Sequence, residues 1–199
     1  MNLSIYPLDE SRMQDYFAFF DDHAFADHQE WSWCYCTYYH CDPEVERQIQ
    51  ADGRGKESIR AYAECLLREG QLRGYLAYID GKVCGFVNVN DRAAYRRLRM
   101  HPEFFADAET KVKAVVCFII AEGYRRQGIA AALLQRACED AAVDGFSSIE
   151  AYPVDAPSEE VFTHYHGHRS LYEKAGFVAC EERGGAHLPA YTLMRKKLG

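Results

Sequence analysis

The run from Val112 to Ala121, apolar but for Lys113, constrains this chain more than any other stretch. Rich in Val and Ile, it falls far short of the ~20 residues a membrane span needs and reads as a strand buried inside a sheet. A turn follows at Glu122-Gly123-Tyr124, and then the segment Arg125-Arg126-Gln127-Gly128-Ile129-Ala130. Beyond it Ala130, Leu133, Leu134, Ala137 and Ala141 recur at helical spacing, with Gln135, Arg136, Glu139 and Asp140 opposite them. That is the pattern of an amphipathic helix laid on a sheet. A buried strand running directly into such a helix points to a layered α/β fold.

The charges at the start of that helix have the wrong sign. Arg125 and Arg126 sit where the macrodipole is positive, which costs roughly a few tenths of a kcal/mol each. An anion bound there reverses the balance, because free backbone N–H groups and arginines then act on it together. Gly128 and the small Ala130 leave the backbone bare enough for close approach. A phosphate cradle between strand and helix is the expected use. The three-glycine dinucleotide fingerprint is absent, and so is the Gly-Lys-Ser/Thr of a P-loop.

The segment resembles the acetyl-CoA-binding motif of the GNAT acyltransferase superfamily: Gln or Arg, two residues, Gly, one residue, then Gly or Ala. Arg125 takes the first position, followed by Arg126, Gln127, Gly128, Ile129 and Ala130, and the resemblance implies that all six bind the cofactor, with Arg126 given the lesser weight as a solvated neighbour. A second stretch, Ser170-Leu171-Tyr172-Glu173-Lys174-Ala175-Gly176-Phe177, is similar to the family's helix-end signature. The resemblance implies a GNAT fold, a mixed, mostly antiparallel sheet with helices on both faces, in one domain over residues 1–199. It implies acetyl-CoA as co-substrate and direct acetyl transfer to a primary amine of a small molecule or peptide. Tyr172 would be the general acid, since a phenol of pKa ~10 suits a departing thiolate. Phe118, Ile119 and Ile120 would form a splayed strand end whose backbone pairs with the pantetheine arm and polarises the thioester carbonyl. Covalent cysteine catalysis is not implied. Where many members carry Asn, seven residues before the tyrosine, this chain has Tyr165, and that contact does not carry over. A rival function of another class, a non-catalytic acyl-CoA sensor, needs only the loop from Arg125 to Ala130.

An amine must lose its proton before it attacks, and Glu122 and Glu150 are the candidate bases, with His40 a further one. The densest aromatic and cysteine patch, Trp31 to Cys41, offers Trp33, Tyr35 and His40 to a substrate pocket, with His164 from further along the chain. For a metal site on Cys34, Cys36, Cys41 and His40, the Cys34-x-Cys36 pair is not the usual Cys-x₂₋₄-Cys zinc spacing and no second Cys pair follows downstream, so a core or pocket segment is the preferred reading. His164 and His168 share a helix face that His166 does not, too few ligands for a closed site; no metal is expected.

The remaining pattern fills in a strand–helix order. Leu3 to Leu8 reads as a strand, Asp9 or Ser11 as the cap of a helix through about Phe20, and Pro43–Gln50 and Lys56–Glu69 as further helices. Two strands flank Asp80-Gly81, a hairpin dipeptide. Arg92 to Lys111, with four arginines, reads as a solvated loop. Ser147 to Tyr152 makes another strand, Ser158 to Ala175 a helix, and Phe177–Cys180 and Tyr191–Met194 the last two strands. Residues 23–55 are the least typical part. A net charge of −7 argues against a nucleic-acid surface. With neither a leader-like opening nor a spanning run, a cytoplasmic protein without membrane contact is expected, as monomer or homodimer. Its eight scattered cysteines are expected to be reduced.

Overall fold

The apolar run forms the fourth strand of a seven-stranded sheet. The structure, a computed structural model, describes residues 2–105, 111–153, 165–180 and 192–199. The strands are β1 (Leu3–Pro7), β2 (Gly74–Ile79), β3 (Lys82–Asp91), β4 (Val112–Ile120), β5 (Ser148–Ala151), β6 (Val178–Ala179) and β7 (Met194–Lys197), in the order β1-β2-β3-β4-β5-β7-β6. Only β4 and β5 pair in parallel; every other neighbour is antiparallel. The helices are α1 (Met13–Asp22), α2 (Pro43–Asp52), α3 (Lys56–Arg68), α4 (Arg96–Arg99), α5 (Ile129–Val143) and α6 (Arg169–Lys174).

Local chemistry accounts for the main boundaries. The Asp42 side chain accepts from the Glu44 and Val45 N–H groups and Pro43 opens α2, the ordinary cap for a helix start. Asp80 and Gly81 both take positive φ, 48° and 81°, as the tight β2–β3 hairpin requires.

Alternation along β2 divides the core. Leu76 and Tyr78 face α1 and α3 with Tyr16, Phe20, Leu66 and Phe86. Tyr75, Ala77 and Ile79 face α5 with Leu133, Leu134 and Ala137. Helices therefore cover both faces of the sheet, as the resemblance implied.

Two irregularities in β4 set up the site. Its pairing with β5 runs only from Val112↔Ser148 to Val115↔Ala151, so Val116 to Ile120 continue without β5. At the same point the register with β3 jumps from Val89↔Val115 to Asn88↔Cys117, leaving Val116 as the extra residue of a β-bulge.

Some expectations shift. Arg92 to Lys111 contains short helical turns at Arg92–Ala94, Arg96–Arg99 and Pro102–Phe105, and Arg92 is buried rather than solvated. The final strand starts at Met194 and runs to Lys197. Of the helix expected from Ser158, residues 158–164 lie outside the described residues, and the regular helix within them is Arg169–Lys174.

Candidate active site

Backbone groups at the splayed end of β4 can be followed one by one. The Ala121 N–H donates to the Cys84 carbonyl of β3 at 3.0 Å, so alternate residues upstream turn the other way. The Ile120 carbonyl does turn away, accepting from Arg125 Nε at 2.9 Å. The Val116 backbone is engaged by the His166 imidazole. Phe118 lies between them, its N–H and C=O directed by the same alternation to the edge that β5 has left.

A cleft of about 680 Å³ opens along this edge, lined by Phe118, Ile120, Arg126, Ala130, Tyr165 and Gly167 among others. At one end stands the start of α5. Gly128 is its N-cap at φ +82°, no side chain caps the helix, and the first turn holds no acidic residue. The first N–H groups are thus offered to whatever anion sits there. Nothing lies within 4 Å of where a Gly128 Cβ would be, which leaves room for a ligand. Arg126 takes a left-handed φ of 61°, is exposed, and has no ion-pair partner among the described residues. Arg125 is already committed: both terminal nitrogens meet the Asp27 carboxylate, NH2 to Oδ1 at 2.9 Å, while Nε holds Ile120. That contact holds Asp27 below the usual carboxylate range. Of the two motif arginines, the uncommitted charge is the one read as a bystander.

Tyr172 is fully buried against Phe118 and Phe177. Its hydroxyl donates to the His166 carbonyl at 2.6 Å, and burial pushes its pKa up, so it keeps its proton. The residue between this hydroxyl and the cleft is Gly167, at φ +77°, where an added Cβ would come within 3.2 Å of the tyrosine oxygen. Sequence reasoning missed Gly167; a glycine between His166 and His168 carries no motif.

The other candidates disperse. Glu150 is wholly buried, with Arg92 NH1 at 3.1 Å, Arg195 Nε at 2.9 Å and the Tyr152 hydroxyl at 3.3 Å, so its carboxylate is occupied by ion pairing. Glu122 is exposed and lines a separate groove with Asp15, His23 and Lys82. Tyr35 is a core residue: its ring packs with Phe17 and Phe20 and its hydroxyl meets Asp21. His40 is buried against Tyr95, its Nε2 without a hydrogen-bond partner among the described residues; burial lowers its pKa to about 4 despite an opposing contact with Asn88. Trp33 is 40% exposed and stacks on Trp31, which in turn meets Tyr165 of the cleft. His164 lies outside the described residues. Among the described residues no group of three or more His, Cys, Asp or Glu is arranged to hold a metal.

A splayed parallel pair at the centre of a mostly antiparallel sheet, with an uncapped helix N-terminus at its mouth, defines a mixed α/β protein with unpaired backbone groups at one cleft. Residues 6–177 match the model of the acetyltransferase (GNAT) family, and the chain belongs to that family. No curated protein matches it significantly. Among solved structures it is similar to a GNAT-family acetyltransferase from Streptococcus pneumoniae, at 18% identity and TM-score 0.52 with all of both chains covered. It is similar also to the PaiA N-acetyltransferase of Thermoplasma acidophilum, solved with coenzyme A, at 16% identity and TM-score 0.52 over 99% of both chains. A third, yncA of Salmonella typhimurium, solved with acetyl-CoA, shares 14% identity at TM-score 0.50 over 99% of this chain and 94% of its own. At these identities the likeness is one of fold.

Proposed function

We propose that this protein is an N-acetyltransferase that moves an acetyl group from acetyl-CoA directly onto a primary amine of a small molecule or peptide. The observation that carries this reading is the open backbone edge at Phe118, which joins the uncapped N-terminus of α5 within one cleft. That cleft suits a long ligand with a diphosphate at one end and amide groups along its arm. Relatives of the same fold have been crystallised with coenzyme A and with acetyl-CoA.

Acetyl-CoA supplies the activated acyl group and a thiolate leaving group. The N–H groups at the start of α5, with Arg126, hold the diphosphate. The Phe118 N–H and C=O extend the sheet onto the pantetheine arm as an added strand would; of the other residues expected at that strand end, Ile119 turns its backbone toward β3 and the Ile120 carbonyl is held by Arg125. The neutral amine nitrogen bonds to the acyl carbon as the carbon–sulfur bond breaks, Tyr172 gives its proton to the departing sulfur, and the proton that the new amide nitrogen sheds returns through solvent to the tyrosinate. Burial keeps it protonated until then, although a raised pKa also makes it a weaker proton donor. To reach the sulfur the hydroxyl leaves the His166 carbonyl, passing beside Gly167.

That same hydrogen bond favours the second reading, an acyl-CoA sensor in which Tyr172 is purely structural. An amine-library screen for free thiol released from acetyl-CoA separates the two. Turnover with some amine, slowed about 10-fold or more in Tyr172→Phe with cofactor affinity kept, is expected of the enzyme. Tight cofactor binding without turnover on any amine supports the sensor, and an undiminished rate in Tyr172→Phe removes the tyrosine from the chemistry.

A further inference from the structure

The transfer chemistry leaves the thiols of the aromatic segment unused, and one of them meets a thiol of β4. Cys36 Sγ donates to Cys117 Sγ at 3.6 Å, although the two lie 81 residues apart in the chain. Both are free thiols.

The backbones beneath them are fixed by separate contacts. Cys117 is the first residue past the β4 bulge and the direct cross-strand partner of Asn88. The Asn88 side-chain amide donates to the Cys36 carbonyl at 2.8 Å, and the Tyr95 hydroxyl holds the other end of that amide, also at 2.8 Å. One residue earlier, the Tyr35 carbonyl accepts from the Tyr16 hydroxyl at 2.5 Å. Cys36 itself is held at a left-handed φ of 51°, uncommon for a non-glycine residue. Two cysteines are thus anchored to one asparagine, their sulfurs in contact. Closing from 3.6 Å to a bonded separation of about 2.05 Å brings the two sulfurs about 1.5 Å closer.

The geometry points to Cys36 and Cys117 as an oxidative modification site that a peroxide converts to an intramolecular disulfide, cross-linking the 23–41 segment to the splayed half of β4. Cys117 is partly exposed and Cys36 buried, so the peroxide meets Cys117 first. The Cys117 sulfur attacks the peroxide oxygen, the O–O bond breaks, and the products are a sulfenic acid and water or an alcohol. The Cys36 sulfur then displaces the sulfenic hydroxyl, which leaves as water with the Cys36 proton, and the S–S bond forms. Two thiols lose two electrons and the peroxide gains them. Burial raises the Cys36 pKa, which suits a thiol that reacts only with the neighbour it touches. Cys34, partly exposed and hydrogen-bonded to Cys36, is the competing partner.

The test is peptide mapping by mass spectrometry of the full chain after stoichiometric hydrogen peroxide, with and without a dithiol reductant. A Cys36–Cys117 cross-linked peptide, two hydrogens lighter and restored by the reductant, is expected in wild type and in Cys34→Ser. It is expected to be missing from Cys36→Ser and from Cys117→Ser. Recovery of a Cys34–Cys36 disulfide instead, or of sulfinic acid at Cys117 with no cross-link, overturns the assignment. Should either serine variant fold poorly, thermal melting of wild type decides. A disulfide closing so long a loop raises the melting temperature of the oxidised form by several degrees, and equal melting of the oxidised and reduced forms overturns the proposal.

Discussion

The two faces of the splayed half of β4 are built on opposite plans. On the α5 side groups are left open: an uncapped helix start, the bare Gly128, the uncommitted Arg126 and the free edge at Phe118. On the side of residues 23–41 almost everything is engaged, with the Tyr35 and Cys36 carbonyls, Asn88 and Asp27 each held by a side chain from elsewhere in the chain. The open face presents backbone groups that any sequence can supply. The closed face is specific, and its specificity rests on side chains that must be delivered across the fold.

The strongest challenge to this contrast is at Glu150, which carries the closed plan into β5 between Arg92 and Arg195. Glu150→Leu removes the carboxylate shared by two buried guanidiniums and is expected to cost about 3–5 kcal/mol, read as a melting temperature lower by roughly 6 °C or more. A loss below 1 °C would mean that the cluster is not what holds β5 and β7 together. On the open face, Gly128→Val puts a β-branched residue at φ +82° and covers the cradle; cofactor affinity is expected to drop about 100-fold, near 3 kcal/mol, in isothermal titration.

Acid should act on the closed face first. Burial holds His40 and His166 at about 4, against an ordinary 6.5. Folded values below unfolded ones mean that the unfolded chain binds protons more readily. The stability so conferred is complete above about pH 6.5 and lost as pH falls toward 4. A melting temperature that declines steadily over that window in wild type, and less in His40→Phe, is the expected result. Smallest are the single charges at the loop. Arg126→Ala should weaken cofactor binding by about 3- to 10-fold, the effect shrinking as salt is added, whereas Glu122→Gln, facing another groove, should change turnover by less than about twofold.

What could be read from the sequence follows the same division. The strand, loop and helix from Val112 to Val143 were legible because each depends on local pattern: an apolar run, a glycine at a helix start, a stripe of alanine and leucine. The hairpin at Asp80-Gly81 was legible for the same reason. The surroundings of Tyr35, His40 and Glu150 were not legible, because they are set by partners far away in sequence, such as Asp21, Tyr95 and Arg195, and composition does not reveal which partner a buried polar group finds. Arg125 illustrates the limit within a motif. Its charge goes to Asp27, 98 residues away.

The bulge at Val116 acts on the phase of the strand. Along a regular strand, residues three apart face opposite sides of the sheet. Val115 and Phe118 nevertheless both pack toward α5, because the one extra residue between them resets the alternation. Cys117 is rotated by the same half-step onto the side where Cys36 waits. The one charged residue of the strand, Lys113, lies ahead of the bulge, and no charged residue follows to betray such a reset, so the sequence from Ala114 reads alike in either phase. One inserted residue thereby decides which side chains of a uniform strand reach the cofactor cleft and which reach the thiol opposite.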